Sequence, residues 1–268
     1  MPLFIAIALG VVQGLTEFLP VSSSGHLVLW GHYLGFAEPK VGFDVFVHFG
    51  TLLAILLYFR RDVINLVRAP FAGSRPGAAE DRRLLLWLAV STVVTAAIAL
   101  ALEDWIDLLF GCPLSAAVML LVTGNMLLLS DTFPSGQRAC SQLGLKRSTA
   151  LGLAQTFALF PGISRSGTTI VAGLAAGLRR EEAARYAFLL AIPAIGGATV
   201  LKFKDMLADP AISPLAYALG GLAAFLSGYA VISLLLRLVR RQKLRYFSYY
   251  CWAFGLVSIV LLSTGVVR

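Results

Sequence analysis

Residues 8–26 read ALGVVQGLTEFLPVSSSGH, and residues 150–168 read ALGLAQTFALFPGISRSGT. Laid over each other without a gap, at a constant offset of 142, they agree at 8 of 19 positions: Ala8/Ala150, Leu9/Leu151, Gly10/Gly152, Gln13/Gln155, Phe18/Phe160, Ser22/Ser164, Ser24/Ser166 and Gly25/Gly167. Ala, Leu and Gly are common in this chain, so their matches carry little. The shared Gln, Phe and Ser-x-Ser-Gly carry the comparison. We read an internal duplication within one integral membrane domain, 1–268, with repeat 1 over about 1–130 and repeat 2 over about 143–268. Each stretch is apolar but broken at a Pro and a Ser/Gly cluster, Pro20–Gly25 and Pro161–Gly167. Non-helical backbone at membrane depth is tolerated only inside protein or beside a wet cavity. Each stretch is therefore expected to form a re-entrant helical hairpin.

Six long apolar runs surround the hairpins, at about 43–59, 84–102, 114–130, 186–201, 214–236 and 247–266. Each approaches the ~20 residues of a spanning helix. Three runs follow each hairpin, and an odd number of crossings turns the second copy upside down. The expected fold is all-α and polytopic: an inverted-topology repeat with two re-entrant hairpins and about six full transmembrane helices. Composition agrees, since 58% of the 268 residues are hydrophobic and only 13% charged, with mean hydropathy +0.82. A soluble domain carries about 25% charged residues.

The net charge of +8 does not point to nucleic acid, because the basic residues sit in short loops between apolar runs. Placing loops 60–83, 131–149, 179–185 and 237–245 inside collects 17 of the 22 Lys and Arg there. Lys40, Lys202, Lys204 and Arg268 fall outside, and loop 103–113 carries Glu103, Asp104 and Asp107 without a base. The positive-inside rule supports this orientation, with both termini facing outward. The first basic residue is Lys40, so the apolar start lacks the basic region of a signal peptide and is expected to belong to the mature chain. Cys112, Cys140 and Cys251 have no paired spacing, and neither a disulfide framework nor a zinc site is expected.

Two charges interrupt the apolar hairpins. Arg165 in mid-membrane must face a cavity or a partner. It could form a structural ion pair with Glu17, or bind an anion, for which its planar fork is suited. Ser164, Ser166 and Thr169 add hydroxyls, Gly167 admits close backbone approach, and a helix starting near Thr168 would point N–H groups at a phosphate. Residues 162–169 resemble a P-loop only superficially, as the Lys is missing and no strand precedes them. Glu17 lies four residues after Gln13, on the same helix face. His26 follows Ser22, Ser23 and Ser24. Carboxylate, amide, hydroxyls and imidazole from one repeat would thus face a guanidinium from the other, the grouping phosphoryl transfer requires. The chain has no transition-metal spacing. A hard cation, Mg²⁺ or Ca²⁺, held by Glu17 and Gln13 with substrate phosphates, is the expected cofactor. His32 and His48 are read as packing or hydrogen-bonding residues, and Asp44 as complementing a helix start.

The two motifs, Gln13-Gly14-Leu15-Thr16-Glu17 running into Phe18–His26, and Pro161-Gly162-Ile163-Ser164-Arg165-Ser166-Gly167-Thr168-Thr169, resemble those of the undecaprenyl-diphosphate phosphatase family, the bacitracin resistance protein A type. Segment 43–61 is also similar, and the resemblance covers essentially the whole chain. It implies a multi-pass inner-membrane hydrolase that converts undecaprenyl diphosphate to undecaprenyl phosphate for peptidoglycan synthesis, needs a divalent cation, opens to the outer side and confers bacitracin resistance. It further implies that Glu17, Ser23, His26 and Arg165 are catalytic: Ser23 a nucleophile candidate, His26 an acid/base or alternative nucleophile, Arg165 the phosphate clamp. Ser22, Ser24, Ser164, Ser166, Gly167 and Thr169 would assist in binding phosphate. Gln13 stands where many members have Glu, and His48 where Gln is expected, so the site has one carboxylate fewer. The expected mechanism has Ser23, helped by His26, attack the terminal phosphorus, with His26 or water itself as the alternative nucleophile. The expected partners are undecaprenyl diphosphate and membrane lipid, with no nucleic acid and a homodimer left open. The alternative class is a lipid flippase or transporter, whose architecture inverted repeats with broken helices also fit; His26 and the serine run opposite Arg165 discriminate against it, since transport needs no nucleophile.

Overall fold

The computed structural model describes residues 2–35, 41–134, 136–202 and 213–264, which are helical almost throughout and contain no strand. Twelve α-helices lie among the described residues: α1 (Leu3–Phe18), α2 (Ser23–Tyr33), α3 (Val41–Tyr58), α4 (Arg60–Arg68), α5 (Ala78–Ala101), α6 (Glu103–Phe110), α7 (Pro113–Leu129), α8 (Gly144–Phe157), α9 (Arg165–Ala175), α10 (Arg180–Leu201), α11 (Pro214–Arg240) and α12 (Arg245–Thr264). Large apolar side chains such as Phe4, Val93, Leu226 and Val260 point outward from many of them. A soluble protein does not expose apolar surface on this scale, whereas lipid requires it. The chain is an all-α polytopic membrane protein.

The helix count refines the expectation of about six spans. Among the described residues all six apolar runs form helices, but four helices, α5, α10, α11 and α12, are individually long and apolar enough to cross a bilayer. α3 reaches that length only together with the segment Arg60–Phe71, from which it is bent by 79°. α7 has 17 residues, about 26 Å at 1.5 Å per residue, against a hydrocarbon core of about 30 Å. α7 carries Pro at its first position, which fixes its start.

Glycine sets how closely α1 approaches α11. A methyl group on Gly10 would sit 2.2 Å from the Gly220 carbonyl oxygen, and one on Gly14 would sit 2.0 Å from Ser227 Oγ. α3 meets α11 in the same way through Gly50 and Gly221. Polar side chains tie α5 to α8: Ser91 Oγ donates to the Ser148 carbonyl at 2.7 Å, and Gln155 Nε2 donates to Thr95 Oγ1 at 3.0 Å. In lipid, close packing and interhelical hydrogen bonds replace the hydrophobic drive between helices.

Ion pairs gather at one end of the bundle. Arg185 Nε donates to Asp62 at 2.8 Å, Arg240 lies 3.0 Å from Glu181, and Arg245 lies 2.8 Å from Asp131. These pairs join the very segments to which the charge count assigned a common side. Lys40, Lys204 and Arg268, assigned to the other side, lie outside the described residues, as do the side chains of Glu103, Asp104 and Asp107.

Candidate active site

Both interrupted stretches form a helix, a sharp break and a second, 11-residue helix. α1 stops at Phe18 because Leu19 precedes Pro20 and is held extended, with φ −62° and ψ 144°. Ser22 then takes φ +68°, a left-handed conformation that costs an L-residue strain. In the other break Pro161 is followed by Gly162 at φ +96°, where a side chain would strike the Ala116 carbonyl at 2.2 Å. α7 holds this second break through Thr123, whose Oγ1 donates to the Gly162 carbonyl at 2.8 Å and accepts from Ser164 N–H at 3.1 Å.

The second helices start alike. Ser22 Oγ caps α2 by accepting from Gly25 N–H at 3.3 Å, and Ser164 Oγ caps α9 by accepting from Gly167 N–H at 3.1 Å. Helix α9 thus begins at Arg165, three residues earlier than the expected start near Thr168. The two breaks meet backbone to backbone: a methyl group on Gly25 would lie 2.8 Å from the Gly162 Cα. Ser166 Oγ fastens them by donating to the Leu19 carbonyl at 3.1 Å.

Glu17 is the centre of this junction. Its carboxylate is 4% exposed and pairs with the Arg165 guanidinium from the opposite hairpin. Gln13 Nε2 donates to Oε2 of Glu17 at 3.0 Å, and Ser23 Oγ donates to the same oxygen. Nε2 of His48, from α3, stands 3.6 Å from it. Glu17, Gln13 and Ser23 of the first hairpin thus meet Arg165 of the second, and the ion pair weighed for Arg165 is formed.

Several assignments change in detail. Ser23 has Glu17 as its hydrogen-bond partner, not His26. His26 is 1% exposed, with Nδ1 2.7 Å from the Ser22 carbonyl and Nε2 2.7 Å from the Tyr250 hydroxyl. The hydroxyls expected to greet a phosphate are largely committed to the fold. Ser22 and Ser164 are caps, Ser166 holds Leu19, and Thr169 Oγ1 donates to the Arg165 carbonyl at 2.7 Å. Ser23, Ser24 and Arg165 are only partly buried and remain the groups a ligand can reach. Gly167 is buried against Ser164 and Leu127.

His48, read as a packing or hydrogen-bonding residue, belongs to this cluster. Its spacing of four from Asp44, whose carbonyl its Nδ1 contacts at 2.7 Å, gave no hint of Glu17. Thr123 and Tyr250 were not anticipated, and nothing in their local sequence distinguishes them from helix packing. Gln13 Oε1 is buried without a hydrogen-bond partner. An uncommitted amide oxygen beside a carboxylate suits a hard cation. Among the described residues, no group of three or more His, Cys, Asp or Glu could hold a metal unaided. A cavity of about 360 Å³ lined by Gln137, Arg179, Glu182, Arg240 and Gln242 lies among the ion pairs at the end of the bundle and shares no residue with the Glu17 cluster.

The family model described as Bacitracin resistance protein BacA matches residues 6–257. Among similar proteins, the undecaprenyl-diphosphatase of Methanobrevibacter smithii is 42% identical over 263 residues, covering 94% of this chain and 95% of its own. That of Desulfosudis oleivorans is 44% identical over 263 residues, covering 94% and 96%. That of Syntrophotalea carbinolica is 45% identical over 252 residues, covering 93% and 95%.

Proposed function

The chain belongs to the bacitracin resistance protein BacA family, and from this we infer that it is an undecaprenyl-diphosphatase. It is an integral-membrane hydrolase that converts undecaprenyl diphosphate and water to undecaprenyl phosphate and inorganic phosphate. The product re-enters peptidoglycan synthesis, and removal of the diphosphate withdraws the target that bacitracin sequesters. A flippase reading would leave unused the hydroxyl that Ser23 presents to Glu17.

The observation that carries the mechanism is the convergence of Ser23 and Arg165 on one carboxylate from opposite hairpins. The polyprenyl tail stays in lipid while the diphosphate reaches the junction. Arg165 leaves Glu17 for the phosphate oxygens, with Ser24 and the first N–H groups of α9 beside it. Glu17, released from the Arg165 guanidinium, takes the Ser23 proton. Ser23 Oγ attacks the terminal phosphorus in line, the bridging P–O bond breaks, and undecaprenyl phosphate leaves. Water then attacks the phosphoserine, and phosphate and Ser23 are restored. Glu17 and Gln13 would hold a divalent cation, Mg²⁺ or Ca²⁺, which when bound neutralises diphosphate charge.

The inverted repeat with re-entrant hairpins is part of this proposal. Its support is the matched caps of α2 and α9 and the exchanged packing, in which α1 lies on α11 while α8 lies on α5. An 11-residue helix is about 16 Å long and cannot cross the bilayer alone. The inner-end ion pairs support a cytoplasmic basic face, with the site opening outward and both termini outside.

Phosphate release from undecaprenyl diphosphate by the purified protein in detergent, with Mg²⁺, Ca²⁺ or chelator, tests the proposal. Cation-dependent release that collapses in folded Glu17→Ala, Ser23→Ala and Arg165→Ala supports it. Release that persists in Ser23→Ala would remove the covalent step. No release by folded wild type would sink the hydrolase and direct attention to lipid transport.

A further inference from the structure

His26 is placed as a strut, and the strut has an anchor outside both hairpins. A backbone carbonyl can only accept a hydrogen bond, so Nδ1, 2.7 Å from the Ser22 carbonyl, carries the proton. In the neutral ring Nε2 is then an acceptor, and the Tyr250 hydroxyl, at 2.7 Å, is its donor. The imidazole packs beside two near-parallel rings, Tyr250 at 5.6 Å and Phe254 at 4.7 Å, themselves 6.0 Å apart, which fix its plane. Ser22, whose carbonyl it holds, is the one residue of the first break with positive φ, and Ser23 follows it directly. The neighbouring Cys251 also addresses this break, with its thiol 4.0 Å from the Pro20 carbonyl.

We propose that Tyr250 is a positioning residue for the hydrolysis: by donating to His26 Nε2 it holds the imidazole in the tautomer and orientation that brace the Ser22 turn and deliver Ser23 to Glu17. This rests on the reading of Glu17, Ser23 and Arg165 as the active site. It assigns α12, which also brings Cys251 and Phe254 to this break, a part in setting the geometry of attack. With both nitrogens engaged, His26 acts on the reaction through the backbone of residue 22 and not as a proton carrier.

The test uses the full-length protein as wild type, Tyr250→Phe and Tyr250→Leu, with ¹⁵N-labelled histidine and with His26→Gln to assign its resonances. Wild-type His26 should be protonated at Nδ1 and bare at Nε2. In Tyr250→Phe, which keeps the ring stack, the Nε2 resonance should move as its hydrogen bond is lost. The kcat for phosphate release should fall by between about 10- and 100-fold with KM within about twofold, since misplacing a reacting group from a distance costs this much. Tyr250→Leu, lacking the stack as well, should fall further. An Nε2-protonated wild-type ring overturns the proposal whatever the variants do. So does an unchanged kcat, an unmoved Nε2 resonance, or a rise in KM alone. Wild type that releases no phosphate instead overturns the phosphatase reading itself.

Discussion

Glu17 and Arg165 neutralise each other inside the membrane, and their energetics separate from their chemistry. Removing one partner of a buried pair strands the other and costs about 3–5 kcal/mol, while removing both is close to neutral. Glu17→Gln and Arg165→Gln should therefore each lower the unfolding temperature in detergent, and the double substitution should recover most of the loss. Activity should follow a different rule: all three variants should lose at least about 100-fold in kcat, as each lacks a group the reaction needs. Recovery of activity in the double variant would contradict the assigned roles. Ser23→Ala should abolish turnover with little loss of stability, since its partner Glu17 keeps Gln13 and Arg165. At this scale the sequence was informative wherever a charge interrupted an apolar run, because lipid leaves such a charge few places to go. The hydroxyls were less legible. A serine before a helix can cap the backbone or bind a ligand, and Ser22, Ser164 and Ser166 turn to the backbone. His48 and Tyr250 reach the site from α3 and α12 by tertiary packing, which leaves no local mark.

Among the helices, the breaks at Pro20 and Pro161 were legible because proline forces the preceding residue out of the helix, and the helix lengths were not. α7 and α3 fall short of a full span although their runs looked sufficient, since loop geometry at Cys112 and the bend after Tyr58 cut them. Helix contact distance is also hidden in sequence, where a structural glycine resembles any other. Gly10→Ala would force α1 from α11 and should destabilise by about 1–3 kcal/mol. Gly31→Ala, in α2 with nothing within 4 Å of the added methyl, should be neutral or stabilising by up to about 1 kcal/mol. Thermal unfolding of the two variants in the same detergent compares them directly. Equal effects would mean that α1 and α11 are not in glycine-limited contact.

The whole molecule is organised about its ends, one carrying the ion pairs and the other the loop near Cys112. Cys112 is exposed, whereas Cys140 and Cys251 are buried. Burial, with the Glu182 carboxylate beside it, holds the Cys140 thiol well above its ordinary range, so it stays protonated and unreactive at pH 8. A membrane-impermeant maleimide added to intact cells should label Cys112 alone, and Cys112→Ser should abolish labelling. Labelling only after lysis would invert the orientation. The arrangement of basic loops anticipated that these segments share one end, and the pairing of Asp62, Glu181 and Asp131 with distant arginines is its folded counterpart.

Glu17 and its counter-ion are 148 residues apart in the chain. At 5–20 residues per second, a ribosome needs about 7–30 s to make the residues between them. For that interval the newborn first hairpin carries an acid with no guanidinium to answer it, and it should linger near water or the insertion machinery until the second hairpin emerges. The proposed site is thus assembled in two stages, and neither hairpin alone carries a balanced pair of charges.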